Sequence, residues 1–128
     1  MDIKRENLIV NLTSEFAVKI IAFHFNVKKS GVDTMATQLF KSGTSIGANV
    51  REAQNGESKN DFIHKMKIAA KEAEETQYWL ELCDKSPLLP DPGPLQNEIV
   101  SIVKVLTKII ATSKNNSERY RSSSGGIN

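Results

Sequence analysis

The stretch from Phe62 to Cys83, FIHKMKIAAKEAEETQYWLELC, decides the fold, because its apolar and small residues recur at a helical period. They step alternately by four and three residues, which places them on one stripe of a helix packed as in a coiled coil. Ser58, followed three residues later by Asp61, resembles a capping box and marks the start of this helix. The stripe consists of Phe62, Met66, Ala69, Ala73, Thr76, Leu80 and Cys83.

Glycines and prolines divide the rest of the sequence into three further helical segments. The breaks fall at Ser30-Gly31, at residues 55–58, and at a stretch that holds all four prolines: Pro87, Pro90, Pro92 and Pro94. The first and fourth segments repeat apolar residues at helical spacing, and strand-like alternation is absent. The predicted helices are 10–29, 33–54, 58–85 and 94–116.

Short connections between consecutive helices force antiparallel neighbours. The sequence therefore predicts an all-α protein, an antiparallel up-and-down four-helix bundle over residues 1–116. Residues 117–128 are rich in Ser and Gly, and we expect them to form a flexible tail.

Composition places the chain among ordinary folded proteins of one domain. Its 128 residues are 39% hydrophobic and 25% charged, unlike a disordered chain, and the net charge of +2 is too small for a polybasic membrane binder. The single cysteine, Cys83, cannot form an internal disulfide, so we expect a cytoplasmic protein. No stretch approaches the roughly 18 apolar residues of a membrane span, which predicts a protein that is neither exported nor embedded.

The fourth segment carries more apolar residues than one buried stripe requires. Val100, Val103, Val105 and Ile110 stand beside the main stripe. In a bundle of four helices no helix is surrounded, so this excess predicts an oligomer. The alternative is a monomer with scattered exposed valines, since single exposed apolar residues are common.

The second segment has a polar stripe beside its apolar one. Gly43 and Gly47 are interleaved with it, and two helical glycines four residues apart predict close approach of another backbone. Glu72 and Glu75 lie on a flank of the third segment, where a carboxylate is expected to accept hydrogen bonds from Ser45, Asn49 or Arg51. We interpret this contact as structural, and the alternative is a solvated face. The polar stripe consists of Gln38, Ser42, Ser45, Asn49 and Glu52.

The sequence contains no recognisable catalytic or metal-binding motif. The spacing Asp61-x-x-His64 is the nearest approach to a di-metal carboxylate motif, and Asp61 is already needed at the helix start. Neither His24 nor His64 follows an arginine at the spacing of small helical nucleases. A Ser/His or Cys/His pair stays open, although Cys83 lies on the core stripe. We predict no enzyme activity, no metal and no cofactor.

Basic residues gather towards the end of the chain. From Pro92 onwards there are five basic residues and only two acidic ones, Glu98 and Glu118. The segment from Ser58 to Asp91, by contrast, has a net charge of −2. This segregation favours contact with the phosphates of RNA or DNA, and the alternative is a solvated face with a solubilising tail. The candidate nucleic-acid-binding residues are Lys104, Lys108, Lys114, Arg119 and Arg121.

Two runs of sequence resemble a known family. The run from Gln38 to Ala53, QLFKSGTSIGANVREA, continues as ESKNDF at 57–62, and further similarity extends from Lys67 to Leu80. Together they resemble the bacterial four-helix-bundle family encoded in intervening sequences of large-subunit (23S) ribosomal RNA genes, over about residues 8 to 115. Members are sometimes labelled S23 ribosomal proteins.

This resemblance implies an antiparallel four-helix bundle that assembles as a homopentameric ring. A related group, the accessory variability proteins of diversity-generating retroelements, binds reverse transcriptase and nucleic acid. The shared motif does not establish a catalytic activity. The signature positions that it implies are Ser42, Ser45, Asn49, Glu52 and Glu75.

We therefore expect a non-enzymatic, oligomeric bundle that binds RNA or DNA as part of a ribonucleoprotein. The alternative is a protein–protein scaffold or adaptor with no nucleic-acid role.

Overall fold

A computed structural model describes the backbone of residues 3–127 and the side chains of residues 8–116. Its four helices are α1 (Ile3–Lys29), α2 (Asp33–Gln54), α3 (Lys59–Lys85) and α4 (Leu95–Ile127). Each packs against its neighbour in the chain, and α4 also packs against α1. No strand occurs among the described residues. The predicted all-α four-helix bundle is confirmed.

Local sequence explains where the helices begin and end. The Ser58 hydroxyl accepts a hydrogen bond from the Asp61 backbone N–H at 3.1 Å, as expected for the α3 N-cap. Between α1 and α2 the chain turns at Gly31, whose φ of 89° favours glycine over any residue with a side chain. Before α4, Gly93 has a φ of 55° and its N–H donates to Asp91.

The heptad stripes form the core. All seven residues of the predicted α3 stripe are buried. On α1, Ile9, Phe16 and Ile20 are buried together with Thr13, whereas Leu12 is only partly buried. The Thr13 hydroxyl donates to the Ile9 carbonyl at 2.8 Å, so its burial leaves no unpaired group.

Helices α1 and α2 approach closely at the two helical glycines. A Cβ on Gly43 would lie 2.6 Å from Cγ2 of Ile20, and a Cβ on Gly47 would lie 3.3 Å from the Thr13 carbonyl oxygen. The predicted approach of another backbone is confirmed at Gly47, where the backbone is that of α1, and at Gly43 the near atoms belong to the Ile20 side chain of the same helix, α1.

Two helices are longer than predicted. Helix α1 begins at Ile3, not near residue 10, and α4 continues to Ile127, where the sequence predicts a tail from residue 117. Neither glycine nor proline interrupts α4 between Leu95 and Ser124, so the backbone can continue in helical form. The flexibility of residues 117–128 stays a prediction, and their side chains lie outside the described residues.

Most of the additional apolar residues of α4 pack against the core of the bundle. Val103, Val105 and Ile110 are half-buried against the core, and only Val100 is exposed, at 36%. Packing within the bundle covers these three side chains only in part, so the expectation that the excess marks a surface between subunits stays a prediction.

Helix α1 contains a candidate membrane span, although none was expected from the sequence. Residues Leu8–Lys29 are long and apolar enough, by length and composition, to cross a membrane, which the sequence analysis did not expect. The reason is that α1 carries apolar residues on its outer face as well as on its buried stripe. Core helices of soluble proteins meet the same criterion, so the finding is weak evidence for a span.

Candidate nucleic-acid interface and association surface

The predicted basic patch of α4 is divided between two sides of the helix. Lys104 and Lys108 are exposed and one turn apart on the same side. Lys114 is also exposed, but the six residues from Lys108 turn the helix so that it stands about 120° away. The side chains of Arg119 and Arg121 lie outside the described residues.

Lys114 of α4 lies near Lys67 of α3. Lys114 first, then desolvation and the charge of Lys71, hold the pKa of Lys67 below its ordinary value. Lys67 and Lys71 are exposed and one helical turn apart. Lys67 and Lys71 were not predicted as binding residues because they belong to a segment that is acidic overall.

The polar stripe of α2 meets α3 through hydroxyl groups. The Ser42 and Thr76 hydroxyls are fully buried and lie 2.9 Å apart within hydrogen-bonding geometry, and the Thr76 oxygen lies 2.8 Å from the Glu72 carbonyl. One hydroxyl can donate to that carbonyl while it accepts from the other, so both groups are satisfied. This pair fixes the register of α2 against α3.

The expected contact from Glu72 or Glu75 to the α2 stripe is absent among the described residues. Asn49 instead donates to the Ser45 carbonyl of its own helix at 2.8 Å, and Arg51 donates to Ser14 of α1 at 3.1 Å. The reason is helical phase, since Glu75 faces solvent. Glu72 is half-buried, and desolvation first, then the charge of Glu75, raises its pKa.

The remaining signature positions have ordinary surroundings. Glu52 is exposed and forms an ion pair with Lys65 of α3 at 2.8 Å. Ser45 is half-buried, and its hydroxyl donates to the Lys41 carbonyl at 2.5 Å. Of the five signature residues, only Ser42 is fully buried and paired across helices. None of the described geometry around them indicates chemistry at these positions.

An apolar surface on the outside of α1 was not anticipated. Val18 is 68% exposed, Phe25 53% and Ile21 39%, and their spacing of three and four residues puts them on one side of the helix. We call these three residues the α1 apolar face. Phe40 of α2 lies beside it, with the His24 ring 4.9 Å from the Phe40 ring, centre to centre.

The described side chains do not form a metal site or a nucleophile–base pair. No group of three His, Cys, Asp or Glu residues is close enough to hold a metal among them. A groove of about 450 Å³ opens between α3 and α4 and is lined by polar residues such as Glu74, Gln77 and Asn97. Cys83 is buried in the core, where desolvation raises the pKa of its thiol to about 11, so it is a poor nucleophile.

Comparison with known proteins assigns this bundle to a family. The model of the 23S rRNA-intervening sequence protein family matches residues 5–108, which include all of α2 and α3. The chain belongs to this family. The resemblance seen in the sequence is thereby confirmed. No curated protein matches the chain.

A solved structure supports the same family assignment. It is the 1.70 Å crystal structure of a protein of unknown function from the S23 ribosomal protein family of Bacteroides thetaiotaomicron. The two chains are 40% identical, with a TM-score of 0.77, over 84% of this chain and 98% of that one. The relative carries no assigned activity that could be transferred, and neither comparison describes a known enzyme.

Proposed function

We propose that this protein is a non-enzymatic, cytoplasmic homo-oligomer that binds the phosphates of RNA or DNA as part of a ribonucleoprotein. The observation that carries the proposal is the charge of α4. From residue 99 to residue 116 this helix has three lysines, all exposed, and no acidic residue. A one-sign helix surface attracts a phosphate backbone without requiring a particular base sequence.

Salt dependence tests the nucleic-acid proposal. Labelled single-stranded RNA and DNA of about 12 nucleotides are titrated with the full chain at about 50 and about 200 mM salt. We expect binding at the lower salt that weakens steeply at the higher one, because each phosphate contact releases counterions. No binding of either strand at low salt would refute the proposal.

Self-association is the second part of the proposal, and the α1 apolar face supports it. Three exposed apolar side chains on one side of a helix, with Phe40 beside them, are typical of an interaction surface. The family resemblance adds the expectation of a pentamer. We therefore assign the subunit contact to α1, in place of the α4 excess inferred from the sequence.

Light scattering tests this assignment. The double variant Val18→Gln/Phe25→Gln is expected to lower the oligomer mass, because it replaces two apolar contacts with polar groups. The matched control is Leu88→Gln, which removes an 81% exposed apolar side chain from the loop before α4. A stable monomer of the parent protein at micromolar concentration, or an unchanged mass in the double variant, would contradict the assignment.

A scaffold with no nucleic-acid role is the second candidate function. The α1 apolar face favours it, because docking through apolar residues needs no phosphate. The two functions differ in salt dependence, since apolar docking does not weaken steeply as salt rises. Partner capture from the native cell at high salt, together with no RNA or DNA binding at low salt, would favour the scaffold.

A further inference from the structure

Three aromatic rings come together on the surface where α1 packs against α2. The His24 ring lies 4.3 Å from the Phe25 ring and 4.9 Å from the Phe40 ring, centre to centre. Phe25 and Phe40 are exposed, and His24 is half-buried. Phe40 belongs to α2 and the other two rings to α1, so the tertiary fold brings this cluster together.

A groove of about 260 Å³ opens beside the Phe40 ring, and we call it the Phe40 groove. Pockets for drug-sized ligands measure about 300–1,000 Å³, so this groove suits a smaller group such as one planar ring system. It is lined by His24 and Lys28 of α1 and by Asp33, Ala36, Thr37 and Phe40 of α2.

The surroundings of the Phe40 groove are positively charged. All three lysines are exposed, and no carboxylate among the side chains of residues 8–116 forms an ion pair with any of them. A surface of this charge attracts an anionic strand, and it does not favour a basic peptide. From residue 24 to residue 41 the lysines are Lys28, Lys29 and Lys41, against the single acidic residue Asp33.

We propose that the Phe40 groove holds an unpaired base of single-stranded RNA or DNA, stacked on the Phe40 ring, with the three lysines beside the adjoining phosphates. An exposed aromatic ring among cations suits a single strand, because every base has a π face and every nucleotide a phosphate. The inference rests on the proposed function and adds a place where bases are held. Phe25 keeps its place in the α1 apolar face, since the base needs only the Phe40 ring and the groove beside it.

The test removes the Phe40 ring and keeps an apolar side chain of unchanged charge. Phe40→Leu is compared with Tyr78→Leu, the matched control, because Tyr78 is an exposed aromatic residue of α3 away from the groove. The probes are a labelled single strand of DNA of about 12 nucleotides and the same strand with abasic sites in place of its bases. Binding is measured by fluorescence anisotropy at about 50 and about 200 mM salt.

For Phe40→Leu we expect the base-bearing strand to bind about fivefold to tenfold more weakly at both salt concentrations. This is the lower end of what loss of one stacked base causes, because leucine retains part of the apolar contact. The slope of log K against log salt is expected to stay that of the parent, since no phosphate contact is removed.

Three comparisons show whether the loss comes from stacking. The abasic strand is expected to bind the parent and Phe40→Leu equally, because it has no base to stack. Phe40→Tyr retains the ring and is expected to keep the parent's affinity for the base-bearing strand. Tyr78→Leu is expected to stay within about twofold of the parent, because its side chain lies outside the groove.

The outcomes separate this inference from the proposed function. If the parent binds the strand and Phe40→Leu binds it equally well, or if Tyr78→Leu weakens binding as much, the inference is wrong and the proposed function stands. If the parent binds neither RNA nor DNA at low salt, both are refuted. Light scattering and circular dichroism melting check assembly and folding; Phe40→Leu is expected to keep the parent's mass and melting temperature, and a loss of mass would assign the weaker binding to lost association and overturn the inference.

Discussion

Replacing Gly43 with alanine tests the closest contact in the bundle. The added Cβ would lie 2.6 Å from Cγ2 and 3.0 Å from Cγ1 of Ile20, well inside ordinary van der Waals contact. Both atoms are attached to the branched Cβ of a fully buried side chain, so they cannot swing away freely. The helices must therefore shift, or Ile20 must leave its preferred rotamer.

Two opposing contributions set the size of the effect. Overpacking of a core costs about 1–3 kcal/mol, and the severity of this contact points to the upper part of that range. Alanine in place of a helical glycine returns about 1 kcal/mol. We expect the free energy of unfolding to fall by about 1–2 kcal/mol, which for a domain of this size lowers the melting temperature by about 4–8 °C.

Gly47→Ala is the matched control. Its Cβ would lie 3.3 Å from the nearest Thr13 atoms, a contact that a shift of a few tenths of an ångström relieves. The same gain in helix propensity then nearly offsets the strain, and we expect stability within about 1 kcal/mol of the parent. All variants are melted at equal concentration, because association makes the melting temperature depend on concentration.

A double-mutant cycle with Ile20→Ala identifies the cause. Ile20→Ala alone is expected to cost about 2–5 kcal/mol, since it leaves a cavity in the core. In the Gly43→Ala background the new methyl group partly fills that space, which gives a favourable coupling of about 1–2 kcal/mol. A Gly43→Ala protein that melts at or above the parent's temperature would refute the close packing of α1 on α2.

Three further predictions concern the buried polar groups and the cysteine. Thr76→Val is expected to cost about 1–2 kcal/mol in urea unfolding, because it leaves the buried Ser42 hydroxyl with only a long contact to its own helix. Asn49→Leu is expected to change stability by less than about 1 kcal/mol, since Asn49 is half-buried and bonds only to Ser45 of the same helix; a loss above about 2 kcal/mol in the same assay would reveal a missed partner. Because burial raises the pKa of Cys83 to about 11 from its ordinary 9.0, the unfolded chain loses the thiol proton first. Stability should therefore fall more steeply between about pH 9 and about pH 11 in the parent than in Cys83→Ala, as measured by urea unfolding at each pH.

The core was predictable because each helix carries its own period. Phe62 to Cys83 alternates in steps of four and three, and that local spacing alone determines which side chains share a stripe. The Ser58 cap and the two helical glycines were predictable for the same reason, since each depends on residues close in sequence.

The surfaces were less predictable because a stripe does not say what lies on either side of it. The two flanks of α3 have different surroundings in the bundle, because α2 packs on one side of α3 and α4 packs on the other. The periodicity of α3 alone does not show which flank meets which helix. Glu75 was therefore expected to face α2, but it faces solvent, and the closeness of Lys67 to Lys114 was not predicted. The outer face of α1 was not predicted, because a second apolar stripe at helical spacing does not show from sequence alone whether it is buried or exposed.

The order in which the helices pack has a consequence for how the chain folds. Three of the four helix–helix seams join elements that follow one another directly, so most of the core forms from contacts that are local in sequence. Folding is then expected on the order of microseconds to milliseconds, because little loop-closure entropy opposes such contacts. The seam between α1 and α4 is the exception, since it joins the two ends of the chain. It should close last, and in native-state hydrogen exchange it should be the first seam to open.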